Sequence, residues 1–321
     1  MTIAHHNKPK ISIVGAGQVG ATTAHLLLMK RLAGELTLID VVDGLAQGKA
    51  LDLAQAAAIE GLEVRVHGTT DYGALAGSRL VVVTAGLARK PGMSRDDLLQ
   101  ANAAIIGPIA ERIAKDAKDA IVIVVTNPLD VMTALMLRQT EFPRQRVFGM
   151  AGVLDSGRLK AFIAQRLQVD PATVDAEVLG SHGDLMVPIR RTITVAGRPL
   201  ATFLSEPEIE QLLIRTRAGG AEIVSLLKHS SAFYAPASGV AQMAQVILQD
   251  EHRVLPAAVW LEGEYGLKDV CIGVPVELAS GGVSKVVELV LTDEERTALH
   301  QAAQQVRDAI KHLPAVAPLS S

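Results

Sequence analysis

The sequence predicts an α/β protein: a doubly wound parallel sheet followed by an α+β domain. Three observations carry this. Short β-branched runs alternate with helix-patterned segments through the first half of the chain. Gly15-Ala16-Gly17-Gln18-Val19-Gly20 places G-x-G-x-x-G between the first strand and the first helix. Leu80-Val81-Val82-Val83 is continuously apolar, as in a strand covered on both faces.

Taken in order, Lys10 to Val14 is a β-branched run entering the glycine turn, and Ala21 to Met29 reads as helix. Glu35 to Asp40 is a second strand ending in an acid, followed by an Ala/Leu-rich helix from Gly44 to Glu60. Glu63 to His67 and Arg79 to Thr84 are further strands. Leu98 to Lys115 is helical, Ala120 to Thr126 is a strand, and Leu129 to Leu137 is a helix. Such alternation implies right-handed crossovers and a parallel sheet. The second half is irregular. Leu154 to Leu167 is helical, with Pro171 beyond its end. Two short β-rich stretches flank Gly197 between Val187 and Phe203. Glu206 to Lys228 is a long helix expected to be interrupted and bent at Gly219-Gly220. Val254 to Leu261 and Val270 to Val276 are strands. Thr292 to Lys311 is a closing helix with Thr292 and Glu295 at capping-box spacing. The boundary is placed near Gly149, giving domains 1–149 and 150–321. Ala315 to Ser321 is expected to be a frayed tail.

Composition narrows the function. A net charge of −3 gives no basic excess to attract phosphate backbones, and 3% aromatics leave few stacking platforms, so no nucleic-acid partner is expected. The one cysteine, Cys271, excludes an intramolecular disulfide and any site with several Cys ligands. No metal is expected. The polar N-terminus lacks signal-peptide features. No run of about 18 apolar residues occurs. The expectation is a cytoplasmic protein with no membrane partner.

The glycine motif specifies a ligand. The first glycine permits a tight turn, the second lets backbone approach a pyrophosphate, and the third lets helix and strand pack closely. N–H groups at the helix start then face the phosphates. Asp40 closes the next strand about 20 residues on, as the fingerprint requires. Its carboxylate would accept from ribose hydroxyls and repel a 2′-phosphate. Val41, Val42 and Asp43 follow it, with no Arg or Lys, so NAD is expected over NADP.

Four further segments matter: Leu87-Ala88-Arg89-Lys90-Pro91-Gly92-Met93-Ser94-Arg95, Thr126-Asn127-Pro128, Leu154-Asp155-Ser156-Gly157-Arg158 and Gly180-Ser181-His182-Gly183-Asp184. Taken singly each has an ordinary reading. Asp155 and Arg158 could be a surface ion pair, His182 a turn histidine, and Arg89 to Arg95 a solvated basic loop. Together, and behind a dinucleotide fingerprint, they resemble the lactate/malate dehydrogenase family over about Lys10 to Lys311. The chain is most similar to the bacterial-type malate dehydrogenases that look like lactate dehydrogenases.

The resemblance implies NAD-dependent, reversible oxidation of (S)-malate to oxaloacetate, and a role for each residue. His182 would carry the proton, because imidazole titrates nearest neutral pH. Asp155 would hold the ring and stabilise the imidazolium. Arg158 would bind the carboxylate beside the reacting carbon with its planar fork. Arg95 would polarise the carbonyl. Asn127 would hydrogen-bond substrate and, with Asn102 and the backbone at Val125, contribute to the cofactor site.

Arg89 stands where lactate dehydrogenases typically carry Gln, so a second guanidinium would pair with the second carboxylate of a dicarboxylate. Ala232 stands where those enzymes carry Thr, leaving room for the longer acid. Pro91 and Gly92 suit a loop that swings shut. The family also implies a homodimer or homotetramer. Competing readings are a lactate dehydrogenase, opposed by Arg89, and an NAD-dependent glycosidase, which needs a metal-binding Cys and His. A non-catalytic NAD scaffold predicts a damaged constellation, which this is not.

Overall fold

The structure, a computed structural model, describes residues 8–88 and 93–313. Arg89, Lys90, Pro91 and Gly92, the N-terminus before Lys8 and the expected frayed tail lie outside the described residues.

The first half alternates as its sequence pattern requires. It runs β1 (Lys10–Val14), α1 (Gln18–Met29), β2 (Glu35–Ile39), α2 (Leu45–Ile59), β3 (Arg65–Thr69), β4 (Ser78–Val83), α3 (Arg95–Asp116), β5 (Ile121–Val124), α4 (Leu129–Thr140) and β6 (Val147–Gly149). These six strands lie side by side in the order β3-β2-β1-β4-β5-β6, all parallel. The order reverses between β1 and β4. Ligands of such sheets bind in the crevice beyond the strand C-termini at that point. Val81, Val82 and Val83 are fully buried, as the apolar run predicts.

The remaining elements are α5 (Gly152–Leu167), β7 (Val174–Asp175), β8 (Val178–Gly180), β9 (Met186–Pro188), β10 (Thr194–Val195), β11 (Arg198–Pro199), α6 (Glu206–Leu227), α7 (Tyr234–Leu248), β12 (Arg253–Glu262), β13 (Lys268–Ala279), β14 (Gly282–Val286) and α8 (Asp293–Lys311). β12 joins the sheet antiparallel to β6, and β13, β8 and β9 extend it. One large core therefore runs across Gly149, from Ile11 and Leu36 to Ile272 and Val306. A smaller core gathers Leu159, Ile163, Ile193 and Leu213 between α5, α6 and the short strands.

The Thr292/Glu295 capping box forms at the start of α8, and equivalent boxes start α3 (Ser94/Asp97) and α6 (Ser205/Glu208). The β10–β11 pair turns at Gly197, which has φ of 74°. One expectation fails. α6 is not interrupted at Gly219-Gly220 but runs unbroken from Glu206 to Leu227. The tertiary contacts of α6 hold its helical backbone through the weak pair, and both glycines face Arg158 of α5. No helix among the described residues is long and apolar enough to cross a membrane.

Candidate active site

The glycine loop leaves β1 and opens α1. Gly15 has φ of 101°, and a Cβ there would stand 2.5 Å from the Ala85 nitrogen. A Cβ on Gly20 would stand 1.9 Å from the Gly15 oxygen, so helix and turn touch only because residue 20 has no Cβ. Gly17, by contrast, has nothing within 4 Å of its Cβ position and faces open space, as does the exposed Gln18 beside it. It is the N-cap of α1, with no side-chain cap and no acid in the first turn. The helix start thus presents unsatisfied N–H groups to an anion.

Asp40 stands at the end of β2 beside this loop. One carboxylate oxygen accepts from the Ala16 N–H at 2.7 Å and the other from the Val42 N–H at 3.0 Å. Each oxygen keeps lone-pair capacity for a ribose hydroxyl. Asp40 therefore also anchors the phosphate loop, a second role its sequence position did not reveal. Val41 beside it is 76% exposed, as an adenine-side surface requires. The open Gly17, the uncapped helix end and the acid fit a dinucleotide without a 2′-phosphate.

Across the crevice, Thr84 donates to the Gly15 oxygen at 2.9 Å and Thr126 to the Ala85 oxygen at 2.6 Å. Asn102 on α3 is fully buried. Its carboxamide accepts from the Leu87 N–H at 2.7 Å and donates to the Leu87 and Asn127 carbonyls at 3.1 and 2.6 Å. Both its donors are spent on the two loops, so Asn102 holds the crevice wall in place. The Val125 N–H donates to the Val83 oxygen at 2.9 Å, and Asn127 is exposed before a cis peptide bond to Pro128. Val19, in the first turn of α1, is half-buried.

The catalytic candidates come together from α5 and the loop between β8 and β9. His182 Nδ1 lies 2.8 Å from an Asp155 carboxylate oxygen. The other Asp155 oxygen lies 3.5 Å from an Arg158 terminal nitrogen. Asp155, Arg158 and His182 side chains are 3%, 12% and 17% exposed, so this is no solvated surface pair. Helical i,i+3 spacing puts Asp155 and Arg158 on one face of α5, and β8 delivers His182 to it. Burial alone would lower the His182 pKa, but the Asp155 charge and hydrogen bond outweigh it and the net shift is upward. With Nδ1 held by Asp155, Nε2 is the nitrogen left for substrate. Arg95 begins α3 and ion-pairs with Asp184, two residues past His182; both side chains are 69% exposed. The Arg158 Nε is buried without a hydrogen-bond partner among the described residues.

Sequence reasoning missed one residue. Asp130, fully enclosed at the start of α4, accepts from Ser181 Oγ at 2.6 Å and from the His182 N–H at 3.2 Å. Burial raises its pKa to about 6 against the pull of these two donors. It fixes the backbone that carries His182. Ala232 precedes α7 and is half-buried. Cys271 is fully buried in β13, and burial raises its thiol pKa, which suits an inert thiol.

Comparison with known proteins converges on one family. Residues 9–149 match the lactate/malate dehydrogenase NAD-binding domain, and residues 152–316 match the lactate/malate dehydrogenase alpha/beta C-terminal domain. A malate dehydrogenase of Nostoc punctiforme is 53% identical over 305 residues, covering 95% of this chain and 93% of its own. One from Methanosarcina mazei is 49% identical over 308 residues, covering 95% and 99%. Among solved structures, the malate dehydrogenase of Cryptosporidium parvum superposes with a TM-score of 0.93 at 39% identity, covering 95% of this chain and 99% of that one. The lactate dehydrogenase of the same organism, solved with lactic acid and nicotinamide adenine dinucleotide, also gives 0.93, at 36% identity and covering 98% and 100%. The shared backbone thus does not separate the two activities.

Proposed function

The chain belongs to the lactate/malate dehydrogenase family, and we propose that it interconverts (S)-malate and oxaloacetate with NAD. The observation that carries the chemistry is the His182–Asp155–Arg158 constellation, three buried or nearly buried polar groups with no other evident reason to meet. Bound NAD supplies the acceptor for the hydride leaving C2 of malate. Asp40 and the Gly15–Gly20 loop hold its adenosine and pyrophosphate ends. His182 Nε2 takes the hydroxyl proton as C2 is oxidised and returns it during reduction. Asp155 keeps Nδ1 protonated and stabilises the imidazolium. Arg158 fixes the carboxylate beside C2, and Arg95, drawn from Asp184, stabilises negative charge on the carbonyl oxygen. Asn127 orients the substrate.

The dicarboxylate preference rests on Arg89 and on relatives near 50% identity that are malate dehydrogenases. A cation left without its partner would disfavour pyruvate, and such ionic mismatches reach about 10⁴–10⁵ in selectivity. The same reading places the domain division at Gly149, the protein in a homodimer or homotetramer and its setting in the cytoplasm. The test is NADH oxidation by purified protein with oxaloacetate and with pyruvate in parallel. Equal turnover of the two would refute the malate assignment, and turnover of neither would refute the chemistry.

A further inference from the structure

Arg158 lies in a recess that glycine leaves open. Its side chain rises from α5 and crosses α6 at Gly219-Gly220. A Cβ on Gly219 would stand 3.3 Å from Arg158 Cδ and 3.7 Å from its Nε, with Phe162 Cε2 next at 3.7 Å. A Cβ on Gly220 would stand 3.6 and 3.8 Å from the two terminal nitrogens of Arg158, and outside α6 itself nothing else described comes within 4 Å. These neighbours are side-chain atoms, not α5 backbone. The glycine pair therefore makes room for one arginine rather than for close approach of two helices.

Two adjacent glycines inside a helix lower its stability relative to alanine, so their presence asks for a compensating reason. The Arg158 Nε is buried and has no hydrogen-bond partner among the described residues, so on that side packing against them fixes the guanidinium. The Gly219 contact is the tight one: a methyl group there would displace the side chain by a few tenths of an ångström, whereas at Gly220 it would fit.

We propose that Gly219 is a positioning residue for substrate recognition. Its missing Cβ sets where Arg158 presents its fork to the carboxylate adjacent to the reacting carbon. This rests on the reading of Arg158 as the carboxylate-binding residue. Every 2-oxo acid carries that carboxylate, so Gly219 governs affinity for dicarboxylate and monocarboxylate alike, and not the choice between them.

The test compares Gly219→Ala, Gly220→Ala, Arg158→Lys, the Gly219→Ala/Arg158→Lys double variant and Gly48→Ala, whose Cβ would meet nothing within 4 Å. KM and kcat for oxaloacetate and pyruvate, NADH affinity and Tm are measured for each. A misplacement of about 1 Å can cost about 10²-fold, so a few tenths should raise KM roughly 3- to 10-fold in Gly219→Ala, for both substrates. NADH affinity should hold, and Tm should not fall, because alanine favours the helix. Gly220→Ala should stay within about 2-fold, and Gly48→Ala should leave KM unchanged. In the Arg158→Lys background the Gly219→Ala penalty should shrink, because lysine keeps the Cδ that the methyl meets but has no planar fork whose alignment the shift can spoil. If Arg158→Lys raises KM but Gly219→Ala does not, the positioning role is wrong and the reading of Arg158 stands. If Arg158→Lys leaves KM unchanged, that underlying reading fails and takes the proposal with it. A fall in Tm and kcat at constant KM in Gly219→Ala would mark ordinary packing and overturn the proposal.

Discussion

Replacing Asp155 by Asn removes the one buried negative charge bonded to the His182 ring while keeping its size. The wild-type bond is 2.8 Å long and its carboxylate is 3% exposed, so solvent screens it little. A charge-assisted hydrogen bond of this kind contributes about 1.5–3 kcal/mol, or about 1–2 pKa units. Once it is gone, burial and the nearby Arg158 both push the His182 pKa down, with only Asp130 opposing them. Oxaloacetate reduction needs the imidazolium, so its rate falls as pH rises through the His182 pKa. Malate oxidation needs the neutral ring and rises through the same value. Asp155→Asn should move both limbs down by about 1–2 units. Above the wild-type His182 pKa the lost proton alone should cut reduction about 10- to 100-fold, and a misdirected tautomer extends the loss toward about 10⁴-fold. Stability follows the same sign. A raised folded-state pKa stabilises the fold below the unfolded imidazole value, about 6.5, and that share is lost as pH rises through the folded value. The assay is kcat against pH in both directions by NADH absorbance, with NADH affinity as control. Unmoved limbs, or a loss under about 10-fold, would refute the coupling of Asp155 to the proton carrier.

Other outcomes follow from the same geometry. Asp130→Ala strips the acceptor from the Ser181 hydroxyl and the His182 N–H, which should cost about 1–3 kcal/mol per orphaned buried group and lower kcat far more than NADH affinity; unchanged kcat and denaturation midpoint would remove Asp130 from the site. Asp40→Ser with Val41→Arg should raise NADPH use relative to NADH, whereas equal use of both cofactors by the unaltered protein would void the role given to Asp40. Arg158→Gln should depress kcat/KM for oxaloacetate and pyruvate alike; a loss confined to one of them would mean that Arg158 reads the distal end of the substrate.

The parts of the fold that sequence made legible are those where local pattern and tertiary demand agree. β1 spans Lys10–Val14 in both, and the Thr292/Glu295 spacing marked the start of α8. α7 escaped notice because Pro236 and Gly239 read as breaks in an apolar stretch with little polar stripe. In the fold Pro236 occupies the first turn, where its missing N–H costs nothing, and the helix buries most of its surface against α1 and the sheet. β6 has only three residues, too short for a periodicity to declare itself, and in β14 two buried residues are followed by two exposed ones, so no alternation marks it. At the site, Asp155, Arg158 and His182 were readable only together, through the resemblance that their segments carry jointly; taken singly, the i,i+3 pair and the glycine-flanked histidine each have an ordinary reading. Asp130 was not, because its partners lie 51 and 52 residues away and an acid in a first helical turn has an ordinary explanation. Gly219-Gly220 was read as a bend because the arginine that needs the space comes from another helix.

In the proposed function, substrate choice rests on Arg89. The most direct measurement is the ratio of kcat/KM for oxaloacetate to that for pyruvate, in the unaltered protein and in Arg89→Gln. Truncating one partner of a desolvated ion pair costs about 2–5 kcal/mol, so the ratio should fall by roughly 30- to several-thousand-fold, through loss for oxaloacetate and gain for pyruvate. A ratio within a few-fold of the unaltered protein's would contradict the malate assignment.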